Sequence, residues 1–175
     1  MIDYDLKQIR AVMFDVDGVL SRETVTLSAE GLPMRTVNIK DGYAIQLAVK
    51  SGLTVCIISG ATCEAVEKRY RGLGVKDVCM GSSVKIEVFK RLLVKHELMP
   101  DNVIFVGDDI PDYEVMKACG CGCCPNDAAP EIREVARYVS PYRGDLFCSS
   151  FEKAPYIFNV VVKPYTSFSA YFMKL

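Results

Sequence analysis

Residues 9–20 read Ile-Arg-Ala-Val-Met-Phe-Asp-Val-Asp-Gly-Val-Leu, and the fold turns on how Ala11 to Phe14 run into Asp15 and Asp17. A strand buried on both faces cannot hold carboxylates midway without partners. The two acids therefore belong at its C-terminal end, where open α/β sheets bind their ligands. Residues two apart on an extended segment point the same way, so Asp15 and Asp17 converge while Val16 returns to the core. Gly18 lets the chain turn sharply. Two such carboxylates suit a hard cation such as Mg²⁺, and equally suit one group that attacks while the other moves protons. A D-x-D-G turn that only closes a hairpin is the bland alternative.

The bulk composition narrows the setting. At 175 residues, half of them hydrophobic, the chain fits one domain with a full core. The 21 Lys and Arg against 22 Asp and Glu give a net charge of -1, which leaves no electrostatic footprint for nucleic acid. Acids stand in the first five residues where a signal peptide has bases, and no apolar run reaches membrane-spanning length. The expectation is a cytoplasmic chain with neither a nucleic-acid nor a membrane partner. Of eight cysteines, four fall between Cys119 and Cys124, but no CxxC pair is matched by a distant second pair, and His96 is the only histidine. Small buried thiols in a strand are the expected reading.

The remaining chain alternates strands with helices. Residues 21–39 alternate loosely about Ser28-Ala29-Glu30-Gly31, which predicts a β-hairpin flap beside the site. Asp41 is a plausible N-cap for a helix ended by Gly52, and Leu53 to Ile58 is an apolar run ending at Ser59-Gly60. Thr62 can cap the next helix, after which Val75 to Met80 predicts a strand and Val84 to Leu98 a helix. Lys85 lies in the first turn of that helix, where a cation opposes the macrodipole; a functional anion would explain it, and a solvated lysine is the alternative. Asn102 to Val106 runs into Gly107-Asp108-Asp109-Ile110-Pro111-Asp112, with Pro111 placed for the first turn of a helix to Ala118. Gly120 to Cys124 predicts a strand, Asp127 to Ala136 a helix, and residues 138–140 a last short strand.

This is the pattern of an α/β protein, a doubly wound, Rossmann-like parallel sheet with helices on both faces. Asp15, Asp17, Ser59, Lys85, Asp108, Asp109 and Asp112 are then expected along one sheet edge. Such a set holds a divalent cation and a phosphate and leaves a carboxylate to attack phosphorus in line. No Gly-rich loop ending in Gly-Lys-Ser/Thr occurs, which disfavours nucleoside triphosphate binding of that kind. A phosphorylated receiver module uses similar residues, but there the acidic pair comes first and the phosphorylated Asp later, the reverse of the order here.

The motifs FDVDGV at 14–19, Ser59-Gly60, Lys85 and GDDIPD at 107–112 resemble, in order and spacing, the haloacid dehalogenase superfamily of phosphatases. The short interval between Asp17 and Ser59 resembles its capless branch, which includes phosphatases of 2-keto-3-deoxy sugar acid phosphates such as 3-deoxy-D-manno-octulosonate (KDO) 8-phosphate. VNIKDGYAI at 37–45 and GVKDVCMGSSVKI at 74–86 are similar to that branch as well. The resemblance implies Asp15 as the nucleophile that carries an aspartyl-phosphate and Asp17 as the acid, then base. It implies Mg²⁺ held by Asp15, Asp108 and the backbone carbonyl of Asp17, and a phosphoryl group bound by Ser59, Gly60 and Lys85. Asp109 and Asp112 would support from behind. It also implies a homotetramer whose flaps pack together, and a place in lipopolysaccharide biosynthesis. A nonulosonate 9-phosphate is the alternative substrate, and a non-catalytic binding subunit a further one.

Two departures stand out. Relatives often carry a basic residue after Ser-Gly, whereas this chain has Ala61-Thr62. The domain of 1–144 also gives way to an atypical tail, 145–175, rich in Phe and Tyr, broken by Pro155 and Pro164, and without a clear period.

Overall fold

The central strand, β1 (Ala11–Phe14), is buried along its whole length because it has a strand on either side and a helical layer on each face. The computed structural model describes residues 4–144, and the 145–175 tail lies outside them. Around β1 stand β4 (Thr54–Ile58), β5 (Asp77–Cys79), β6 (Val103–Val106), β7 (Cys121–Cys124) and β8 (Tyr138–Val139), in the order β5-β4-β1-β6-β7-β8. Every pairing in this six-stranded sheet is parallel. The chain builds outward from β1 through β4 to β5, then crosses to β6 on the other side. That reversal makes a crevice at the carboxyl ends of β1 and β6, where Asp15 and Asp108 follow their strands.

Strand alternation divides the core in two. Val12, Phe14, Val55 and Ile57 face one layer, with Ile45 of α1 (Ile39–Lys50) and Val66 and Tyr70 of α2 (Glu64–Gly72). Ala11, Met13, Cys56 and Ile58 face the other, with Phe89 and Leu92 of α3 (Lys85–Lys95), Val115 and Met116 of α4 (Tyr113–Ala118) and Ile132 of α5 (Pro130–Val135). The doubly wound architecture is as expected. Between β1 and β4 the chain forms only the flap and α1, so no cap domain is inserted. No helix among the described residues is long and apolar enough to cross a membrane.

Several element boundaries differ from the sequence reading, each for a local reason. The carboxamide of Asn38 accepts hydrogen bonds from the N–H groups of Lys40 and Asp41, so Asn38 caps α1 and Asp41 lies buried in its first turn. Cys63, not Thr62, occupies the cap position of α2 and offers no side-chain cap. α5 begins only at Pro130, whose ring suits a first helical position; Asp127 instead accepts hydrogen bonds from Arg143 and the Gly144 N–H. Pro111 falls in a 3₁₀ turn, Ile110–Asp112, ahead of α4. The flap hairpin is present, but its strands β2 (Thr26–Leu27) and β3 (Pro33–Met34) are two residues each, joined about the Ser28–Gly31 turn. Cys121, Cys123 and Cys124 are buried thiols in β7, in keeping with the reading of that run as a strand.

Candidate active site

A cleft of about 480 Å³ opens at the carboxyl edge of the sheet, lined among others by Asp15, Asp17, Ser59, Gly60, Lys85 and Asp108. Topology delivers these residues: β1 ends in Asp15, β4 in Ser59 and Gly60, β6 in Gly107 and Asp108, and α3 starts at Lys85. Lys85 is not solvated. Its Nζ lies 2.9 Å from Asp15 Oδ1 and 2.7 Å from Asp112 Oδ1, and all three side chains are at least nine-tenths buried. Asp112 Oδ2 accepts from the backbone N–H groups of Asp108 at 3.1 Å and Asp109 at 3.4 Å, so Asp112 fixes both the lysine and the acidic loop. Asp109 contributes that backbone donor, while its exposed side chain lines the cleft. The Ser59 hydroxyl accepts from the Ala61 N–H at 3.2 Å, which holds the turn after β4.

The charge balance explains what the cleft can take. Asp15, Asp108 and Asp112 place carboxylate oxygens within 4.8 Å of one another, against one ammonium. Burial and the neighbouring Asp112, opposed by Lys85, push the Asp15 carboxyl up to about 7. Burial, with Asp15 and Asp112 beside it, pushes Asp108 up to about 8. Burial disfavours the charge on Lys85, but the two carboxylates outweigh it and hold the ammonium charged. Asp108 Oδ1 is buried without a hydrogen-bond partner. Gly18, at φ +78°, packs so close that a β-carbon there would overlap the Asp108 carboxylate. Crowded, all-oxygen donors, one of them the unpartnered Asp108 Oδ1, fit a small divalent cation of the Mg²⁺ type. Asp112 is saturated by Lys85 and two N–H groups, so Asp15 and Asp108 are the carboxylates left to hold it.

Asp17 behaves differently. Its carboxylate lines the cleft but is forked by Arg35, with Nε to Oδ1 at 2.7 Å and Nη2 to Oδ2 at 2.8 Å; the Ser21 hydroxyl donates to Oδ1 at 3.0 Å. The side chain of Asp17 is thus turned to the flap and stands apart from the Asp15, Asp108 and Asp112 cluster. Sequence reasoning missed Arg35, and also Glu23 and Asp127, which line the cleft rim. The only signal for Arg35 was a lone base directly after the apolar residues of β3. One other candidate metal set, Cys56, Asp77 and His96, meets at the start of β5. There Lys95 and His96 already occupy Asp77, and burial pushes the Cys56 thiol up to about 12, away from the thiolate a metal needs.

Comparison with known proteins gives the family. The family model of haloacid dehalogenase-like hydrolases matches residues 77–145. The 3-deoxy-D-manno-octulosonate 8-phosphate phosphatase of Escherichia coli K12 is 37% identical over 138 residues, which is 79% of this chain and 73% of that protein. This chain belongs to the haloacid dehalogenase-like hydrolases. Among solved structures, the hydrolase is similar to the Moraxella catarrhalis 3-deoxy-D-manno-octulosonate 8-phosphate phosphatase in complex with magnesium, phosphate and KDO. The TM-score is 0.86 at 25% identity, over 96% of this chain and 95% of that one. The Yersinia pestis phosphatase of the same name gives a TM-score of 0.83 at 29% identity, over 90% and 84% of the two chains.

Proposed function

We propose that this hydrolase is a Mg²⁺-dependent phosphatase of a 2-keto-3-deoxy sugar acid phosphate, releasing KDO and phosphate from KDO 8-phosphate through an aspartyl-phosphate on Asp15. The observation that carries the reading is the buried Asp15–Lys85–Asp112 network beside the unpartnered Asp108 oxygen. The family and the names of the relatives support the substrate. Ser59, the Gly60 backbone and Lys85 bind the oxygens of the phosphoryl group and aim phosphorus at Asp15. An oxygen of Asp15 attacks phosphorus as the bond to the sugar oxygen breaks, and Asp17 delivers a proton to that leaving oxygen. Asp17 then takes a proton from water, whose oxygen attacks phosphorus, and Asp15 is restored as phosphate leaves. A Mg²⁺ held by Asp15 and Asp108, with the Asp17 backbone carbonyl, would neutralise charge on the phosphoryl oxygens and fix their orientation. The reading includes a cytoplasmic location and a homotetramer.

A second substrate, a nonulosonate 9-phosphate, is favoured by one feature. The cleft adjoins a second cavity of about 360 Å³, lined by Gly18, Arg22, Arg143 and Gly144, and the two share Glu23 and Asp127. That adjoining space suits a longer sugar. Phosphate release measured over KDO 8-phosphate, nonulosonate 9-phosphates and neutral sugar phosphates, with and without Mg²⁺, tests both. Mg²⁺-dependent release with the highest kcat/KM on KDO 8-phosphate is expected; metal-independent release, or a preference for neutral sugars, would overturn the reading.

A further inference from the structure

Asp17 in this structure is not disposed to act as an acid. A carboxyl that protonates a leaving oxygen must aim an O–H at it, yet both oxygens of Asp17 are accepting: Oδ1 from Arg35 Nε and Ser21 Oγ, Oδ2 from Arg35 Nη2. Arg35 reaches this place from an exposed flap. Leu27, Leu32 and Met34 on that hairpin are half exposed or more, whereas the Arg35 side chain is 8% exposed and has folded inward. Its third nitrogen, Nη1, is buried without a hydrogen-bond partner. The guanidinium is not among the residues lining the cleft; it lines a neighbouring cavity together with Cys63 and meets the cleft through Asp17. Among the described residues lining the cleft, Lys85 is the sole cation, and Asp15 and Asp112 occupy it. Ala61, at the turn after β4, offers no charge.

We infer that Arg35 is the residue that recognises the carboxylate of the substrate, and that it does so by exchanging Asp17 for that carboxylate. The inference rests on the sugar acid phosphate reading above. A planar guanidinium takes one carboxylate in its fork as well as another, so an incoming acid group competes for the same two N–H groups. When it wins, an Asp17 oxygen is free to turn to the leaving oxygen. An acid substrate thus assembles the site it needs, while a neutral sugar phosphate leaves Asp17 in the fork, which gives selectivity through induced fit. Arg35 is a positioning and specificity residue in this account and touches none of the reacting atoms.

The test is the ratio of kcat/KM on KDO 8-phosphate to that on glucose 6-phosphate, for the wild type, Arg35→Ala, Arg35→Lys and Arg143→Ala, each saturated with Mg²⁺. The ratio is expected to fall on the order of 10²-fold in Arg35→Ala. Arg35→Lys, which keeps the charge and loses the fork, should fall partway, and Arg143→Ala should keep the ratio. A purely structural role would lower both substrates together and leave the ratio alone, which would overturn the inference. So would a collapse in Arg143→Ala in place of Arg35→Ala, since that moves the acid contact to the neighbouring cavity. A wild type that prefers the acid while Arg35→Ala keeps that preference removes Arg35 and leaves the substrate reading standing. A wild type indifferent to the carboxylate removes the substrate reading and the exchange together.

Discussion

Lys85 opens helix α3, where an exposed lysine would be mildly unfavourable, yet its ammonium is buried between Asp15 and Asp112. Removing it should act on the transferring phosphoryl group and on the two acids left behind. Lys85→Ala is expected to lower kcat 10²- to 10³-fold, on the order of 2–4 kcal/mol, the scale for a preorganised charge contact. A rate within threefold of wild type would return the lysine to a structural role. Asp15→Asn keeps the shape of the side chain and removes the proposed nucleophile, so turnover should vanish while the far-ultraviolet spectrum and melting temperature are retained; measurable burst release of the sugar by that variant would count against attack by Asp15. These residues were legible because each ends a strand or opens a helix, and parallel topology sends such positions to one edge. Arg35 was not, because nothing local announces it. Its importance comes from the ion pair with Asp17, a contact between the flap and the end of β1 that neither period nor motif encodes.

The helix starts show the same division at the level of elements. That α1 exists is plain from its apolar spacing, but Asn38 and Asp41 are both good caps three residues apart. The cap is Asn38, whose carboxamide accepts from the N–H groups of Lys40 and Asp41, and Asp41 lies buried in the first turn. Asn38→Ala should cost about 1 kcal/mol, the usual value of a lost cap. It should be seen as a fall of several degrees in melting temperature with Mg²⁺-dependent activity kept, whereas an unchanged melting temperature would mean that packing alone sets the start of α1. The buried thiols of β7 were predictable for a different reason. Small apolar residues there let α4 approach closely, as the contact of Gly122 with Met116 records, and that need reads directly from composition.

At the scale of the whole molecule, the acidic cleft couples stability to pH and metal. A carboxyl that binds its proton more tightly in the folded than in the unfolded chain favours folding below its raised value, and that contribution fades as the pH climbs. With Asp15 pushed up to about 7 and Asp108 up to about 8, metal-free protein should lose melting temperature between about pH 4, where unfolded carboxyls titrate, and about pH 8. Asp77 runs the other way. Burial would raise it, but Lys95 and His96 hold it below the usual range, so its contribution is lost as the pH falls. On the proposed function Mg²⁺ would hold the ionised pair, so its saturating addition should flatten the decline at the alkaline side. Thermal scans in EDTA and in Mg²⁺ across this range check it, and superimposable scans would argue against a cation site at Asp15 and Asp108. The exposed apolar flap residues Val25, Leu27, Met34 and Val37 should be covered by neighbouring subunits, and light scattering should report a tetramer. A monomer with full activity would refute that assembly.

The place of β1 in the sheet also sets an order in time. Ala11 pairs with Thr54 on one side but must wait for Val103 on the other. Asp15 is therefore made well before β6, the strand that completes its crevice. Such distant pairings are slow to form, and until they do the apolar run behind Asp15 has one open flank. The nascent chain must pass through that interval shielded from its own kind, and a product cut short before residue 103 would hold two acids with no crevice to put them in.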